Sequence, residues 1–192
     1  MKRFMAIAVA LVATAGSGLA FSDDGSHFKE DLNGLKEAAN VVSTTGSGTF
    51  EMTINKEETE IAYELTFKDL EGDVLQAHIH IGLPQNSGGI VLWLCGSATN
   101  PGPTGTPRCN ANDPSDNRNG TVTGTLTAEN VQNLAVNGIA GPTATTPGEF
   151  AEVLALIRAG KTYANVHSMK FPPGEIRSQI DRHDGNDDHG NH

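Results

Sequence analysis

The sequence predicts a mainly β domain: an antiparallel β-sandwich or partly open barrel of about seven or more short strands, with one or two inserted helices. Three observations carry that expectation. Several segments alternate apolar and polar residues with a period of two, most clearly Ile61, Tyr63, Leu65 and Phe67 against Glu60, Glu64 and Thr66. Turn residues, drawn from 22 Gly and 9 Pro, punctuate these segments. The helical patterns come late in the chain rather than alternating with strands, which argues against a parallel sheet built of βαβ units. A length of 192 residues suits one domain. The balance of 13 basic against 23 acidic side chains gives a net charge of -10, which repels phosphate backbones and excludes nucleic acid as a partner.

The first segment is expected to lie outside the fold. Lys2 and Arg3 form a basic start, Phe4 to Val12 an apolar stretch, and Gly18, Leu19 and Ala20 a small-residue end. That order is a secretory signal peptide, residues 1–20, cleaved after Ala20. The apolar run is shorter than the roughly 20 residues that span a bilayer. The expected mature protein is therefore secreted or periplasmic and not integral to a membrane. Without Lys2 and Arg3 it carries 11 basic against 23 acidic side chains.

Residues 21–44 have mixed charge and weak apolar content (His27, Phe28, Leu32, Leu35) and are expected to be a lead-in holding a short helix. The domain proper is expected at 45–180. Gly48 to Asn55 and Glu60 to Phe67 form two half-buried strands around the charged turn Lys56 to Thr59. Val74 to Ile81 and Ile90 to Leu94 form two more, separated by a turn containing Pro84, Asn86, Gly88 and Gly89. Ile90 to Leu94 is apolar without alternation, as in a strand buried on both faces. Cys95 and Cys109 are the two cysteines, and an exported chain would pair them as a disulfide across a Pro- and Gly-rich loop.

Asn110 to Gly120 is a polar loop. Its Asp113 and Asp116 lack the spacing and distal Glu of an EF-hand, so it is expected to be a solvated turn. Asn119-Gly120-Thr121 has the form of a glycosylation sequon. Thr121 to Thr127 alternates as a strand. A short helix is predicted over Ala128 to Val136. A second helix is predicted from Thr146 as N-cap and Pro147 at its first position, with Glu149 closing a capping box and Gly160 as the stop. Thr162 to Ser168 and Glu175 to Ile180 return to strand periodicity. The tail, residues 181–192, mixes Asp, His, Gly and Asn with no apolar residue to dock it, and is expected to be disordered. Its His183, His189 and His192 could collect divalent metal loosely or simply be part of a solvated acidic end.

Candidate chemistry lies on three of these strands. A period of two places Gln76, His78 and His80 on one face of their strand and Ala77, Ile79 and Ile81 on the other. The same rule groups Tyr163, Asn165 and His167, and separately Glu175, Arg177 and Gln179. Two imidazoles two residues apart on a strand project the same way and can chelate one ion, and His167 would complete a set suited to copper or zinc. Gln76, Asn165, Glu175 and Arg177 would form the supporting polar cluster. Two readings stay open: a three-histidine metal site, or the hydrogen-bonding face of a one-sided sheet. No Gly-x-Ser-x-Gly, phosphate loop or paired catalytic carboxylates point to a hydrolase, and no catalytic residue is assigned.

Four stretches taken together carry a resemblance: Ala-His-Ile-His-Ile-Gly at 77–82, Gly-Gly-Ile-Val at 88–91, Ala-Gly-Lys-Thr-Tyr-Ala-Asn-Val-His-Ser at 159–168, and Pro-Gly-Glu-Ile-Arg-Ser-Gln-Ile at 173–180. In that order they resemble the CHRD domain, a module first described in chordin and also found singly in exported microbial proteins. Ser178 and Ser168 stand where most relatives have Gly and Thr. The resemblance implies a fold unit without naming a reaction, so the expected function is a non-enzymatic binding module of unknown protein or small ligand. A second similarity is to copper/zinc superoxide dismutase, which also uses His-x-His on a strand. It would give His78, His80 and His167 to copper and make Arg177 an anion guide. The chain departs from that pattern in lacking a fourth copper histidine in the folded part and a zinc loop. A copper-binding, redox or dismutase-like protein is therefore the alternative expectation.

Overall fold

A computed structural model describes residues 26–181 except 39. The expected signal peptide at 1–20 and all but the first residue of the expected tail at 181–192 lie outside the described residues. Eight strands run through the rest: β1 (His27–Asn33), β2 (Ser47–Ile54), β3 (Ile61–Lys68), β4 (Val74–Ile81), β5 (Ile90–Gly96), β6 (Gly120–Leu126), β7 (Thr162–Ser168) and β8 (Ile176–Ile180), with one helix, α1 (Phe150–Arg158). They form a single sheet in the order β5-β4-β7-β8-β1-β2-β3-β6, antiparallel at every pairing. The outermost strands β5 and β6 approach one another, so the sheet curls into a nearly closed barrel. The Tyr63 hydroxyl donates a 2.6 Å bond to the Leu94 carbonyl, tying β3 to β5. A Cys95–Cys109 disulfide anchors the intervening loop.

Alternation explains why the barrel holds. Phe50, Met52 and Ile54 of β2 face Ile61, Tyr63, Leu65 and Phe67 of β3 and are all buried. Ala77 and Ile79 of β4, Ala164 and Val166 of β7, and Ile176 and Ile180 of β8 complete the same core, together with Phe150, Val153, Leu154 and Ile157 of α1. At about 1.5–3 kcal/mol for each fully buried large apolar side chain, this inner surface is the main stabilising term. The outer faces differ. Thr49, Ala62 and Glu64 on β2 and β3 are exposed, whereas β7 is buried along its whole length. That side is met by Glu37 at Asn165, by the Leu83 and Asn86 carbonyls at Arg177 and by the Pro172 carbonyl at His167. Among the described residues no helix is long and apolar enough to cross a membrane.

Three local expectations are corrected. The segment expected to hold a short helix before residue 45 contains β1, which lies between β8 and β2 inside the sheet, and among its described residues the helical part is a 3-10 turn at Gly34–Lys36. Glu30 shares the inward row with Phe28 and Leu32 and so breaks the apolar signal. It is accommodated because its carboxylate accepts bonds from the Ser178 hydroxyl and the Asp181 N–H. The predicted helix over 128–136 is two 3-10 turns, Ala128–Asn130 and Ala135–Asn137. The Asn130 carboxamide closes the first turn on Thr127, and the Gln132 N–H is drawn away to the Val91 carbonyl. The last helix starts at Phe150, without the predicted capping box. Thr146 bonds Thr143, and the Glu149 carboxylate accepts from the Ala140 N–H.

Candidate metal centre

β4 and β7 build the centre. Their register sets Gln76 opposite His167, His78 opposite Asn165 and His80 opposite Tyr163. His167 is thus diagonal to His78, a separation that ring side chains bridge readily. Shifts in the β4–β5 register bring Trp93 of β5 opposite His78. The polar row therefore runs across the sheet as Trp93, His78, Asn165 and Arg177.

The three imidazoles converge. Their ligand atoms all lie within 4.8 Å of one another. His78 Nδ1 is 3.3 Å from His167 Nε2. Two nitrogens bound to one ion at about 2.0–2.1 Å stand about 3.3–3.6 Å apart at tetrahedral or trigonal angles, so this pair already has the spacing of two ligands. The rings are buried: His78 is 0% exposed, and His80 and His167 are 6% exposed.

Backbone carbonyls fix the tautomers of two rings. His80 Nδ1 is 3.0 Å from the Gly88 carbonyl, and His167 Nδ1 is 2.8 Å from the Pro172 carbonyl. A carbonyl only accepts, so each Nδ1 carries the proton and each Nε2 is left with a bare lone pair. That is the arrangement by which a carbonyl orients a histidine toward metal. His80 Nε2 and His78 Nε2 are buried without a hydrogen-bond partner. Since a buried polar atom without a partner costs about 1–3 kcal/mol, the cluster is incomplete as protein alone.

Electrostatics keep the rings neutral. Burial, reinforced by repulsion from His167 and His80, pushes His78 from 6.5 down to about 2. Burial likewise pushes His80 down to about 4 against the opposing pull of the Gly88 carbonyl, and lowers His167. Neutral imidazole is the form that binds metal.

The supporting residues divide. Asn165 meets the Glu37 carboxylate at 3.3 Å, and burial raises that carboxyl from 4.5 to about 7 despite Asn165 and Arg177. Arg177, 1% exposed, donates to the Asn86 and Leu83 carbonyls and lies 3.4 Å over the Tyr163 ring, which stacks parallel to His80 at 4.8 Å. Its guanidinium holds the 82–89 loop and is not placed to guide anions from solvent. Gln76 bonds Asn100 in the disulfide loop. Glu175 is buried away from the rings, accepting from the Thr44 hydroxyl and the Glu71 N–H. Trp93, packed edge-to-face on His78 with ring centroids 4.2 Å apart, is a member that sequence reasoning missed. Nothing in the strand pattern announces it, because its placement depends on the register shifts in β4–β5. Glu37 was hidden in the segment before residue 45.

Comparison with curated proteins and with solved structures finds no match. The CHRD domain model matches residues 28–180, a span that begins within β1 and ends with the last residue of β8. The chain belongs to the CHRD domain family.

Proposed function

We propose that this domain is an exported, non-enzymatic metal-binding module that holds one transition-metal ion, copper foremost, on His78, His80 and His167. The observation that carries the reading is the convergence of three buried, neutral imidazoles whose ligand atoms lie within 4.8 Å of one another, with His80 Nε2 buried and partnerless among them. Burial supports binding over turnover, because rings covered by Trp93, Tyr163 and the 82–89 and 169–175 segments leave no open face for a substrate. A dismutase-like activity would need such a face. The disulfide supports export to an oxidising compartment.

The test is metal analysis of the full chain after gentle purification. One tightly held equivalent is expected, retained when His183, His189 and His192 are all replaced by Ala. A His78→Ala/His80→Ala double variant should lose it while keeping a folded circular dichroism spectrum. Equal metal in the folded double variant would reject the strand site.

A further inference from the structure

Resting on that metal-binding reading, we propose that the ion is copper in its cuprous state, held three-coordinate, and that the site discriminates against divalent ions. The donor set is the first reason. Among the described residues the group contains three histidines and no Cys, Asp or Glu. Structural zinc is almost always four-coordinate, and catalytic zinc keeps a water in its open position. Here the rings are at most 6% exposed, and aromatic faces flank two of them: Trp93 against His78 and Tyr163 against His80. A closed-shell monocation accepts threefold nitrogen coordination without a water.

Charge is the second reason. The cost of moving an ion into a low-dielectric site grows with the square of its charge, so a dication is penalised about four times as heavily as a monocation of similar size. Anionic ligands would offset that cost, but the ligands are neutral. Glu37, the carboxylate that faces this row, bonds Asn165 rather than a histidine. A positive charge is packed close by: Arg177 and His80 both lie against the Tyr163 ring. That guanidinium repels a dication about twice as strongly as a monocation at the same place.

The chain contains a single Trp, and Trp93 sits 4.2 Å from His78, so its fluorescence reports occupancy directly. The full-length protein with the three tail histidines replaced by Ala would be titrated anaerobically with Cu(I) against a chromophoric cuprous chelator, and separately with Ag(I) as a redox-inert stand-in, Zn(II) and Cu(II). The expected result is one equivalent of Cu(I) or Ag(I) bound at least about 100-fold more tightly than Zn(II) or Cu(II), a difference of about 2.7 kcal/mol. A smaller preference, or tighter binding of either dication, overturns the cuprous assignment and leaves the metal site standing. No retained ion and no change in Trp93 emission with any of the four would overturn the metal-binding reading itself.

Discussion

His78, His80 and His167 owe their chemistry to position more than to identity. Period-two alternation makes it legible that His78 and His80 share a face, and that His167 shares one with Asn165. Their convergence is not legible, since it depends on β4 pairing with β7 across 89 residues. Glu175 shows the limit of the same rule: parity groups it with Arg177, but it precedes the first residue of β8 and turns to Thr44 and Glu71 instead. At Gly88 the backbone itself meets one of the rings. A Cβ there would collide with the Ile81 carbonyl oxygen, while the Gly88 carbonyl orients His80. Gly88→Ala should therefore weaken metal retention by about 10-fold or more, the range seen when an orienting partner is lost, with the fold intact by circular dichroism. Wild-type affinity in that variant would show that the carbonyl does not orient the ring.

At the level of elements, β2, β3, β4 and β7 were readable because their apolar residues recur every second position without interruption. β1 was not, because Glu30 stands between Phe28 and Leu32, and its burial depends on Ser178 and Asp181 far along the chain. The 3-10 turns escaped for a similar reason: the Gln132 N–H, which a helix would have given to the Ala128 carbonyl, goes to the Val91 carbonyl of a strand distant in sequence. The disulfide loop is a separate element, closed by Cys95 and Cys109 at a sequence separation of 14. Replacing both cysteines with Ala should cost about 3 kcal/mol by the loop-closure relation, measured by urea denaturation. The metal stoichiometry should stay at one, because the histidines lie on β4 and β7 outside the loop. Loss of metal along with stability would instead make the loop, through its Asn100–Gln76 contact, part of the centre.

For the whole molecule, acidity and buried imidazoles make opposite demands as pH falls. Protonating surface carboxylates relieves the self-repulsion of a chain with net charge -10. The buried rings act the other way. They are neutral in the fold but protonate near 6.5 in the unfolded chain, so below that value the unfolded state binds more protons and stability declines with falling pH. His80 alone, displaced from 6.5 to about 4, contributes about 3 kcal/mol that disappears over that interval. Glu37, raised from 4.5 to about 7, has the reverse sign: its contribution is complete below 4.5 and is lost as pH rises through 7. Three rings outweigh one carboxyl. Urea midpoints of the metal-free protein should therefore fall between about pH 6.5 and 4.5, and a flat profile would contradict neutral burial of the cluster. The strand order has a further consequence in time. A chain emerging from its amino terminus presents His78 and His80 early, as a loose two-toothed chelate on an unfinished edge. Only when the last strands arrive does β7 dock beside β4 and deliver His167, with Pro172 close behind to orient it. On the metal-binding reading, the three-nitrogen set would therefore be complete only after β7 has docked beside β4, so a half-built chain would offer an ion two teeth and never three.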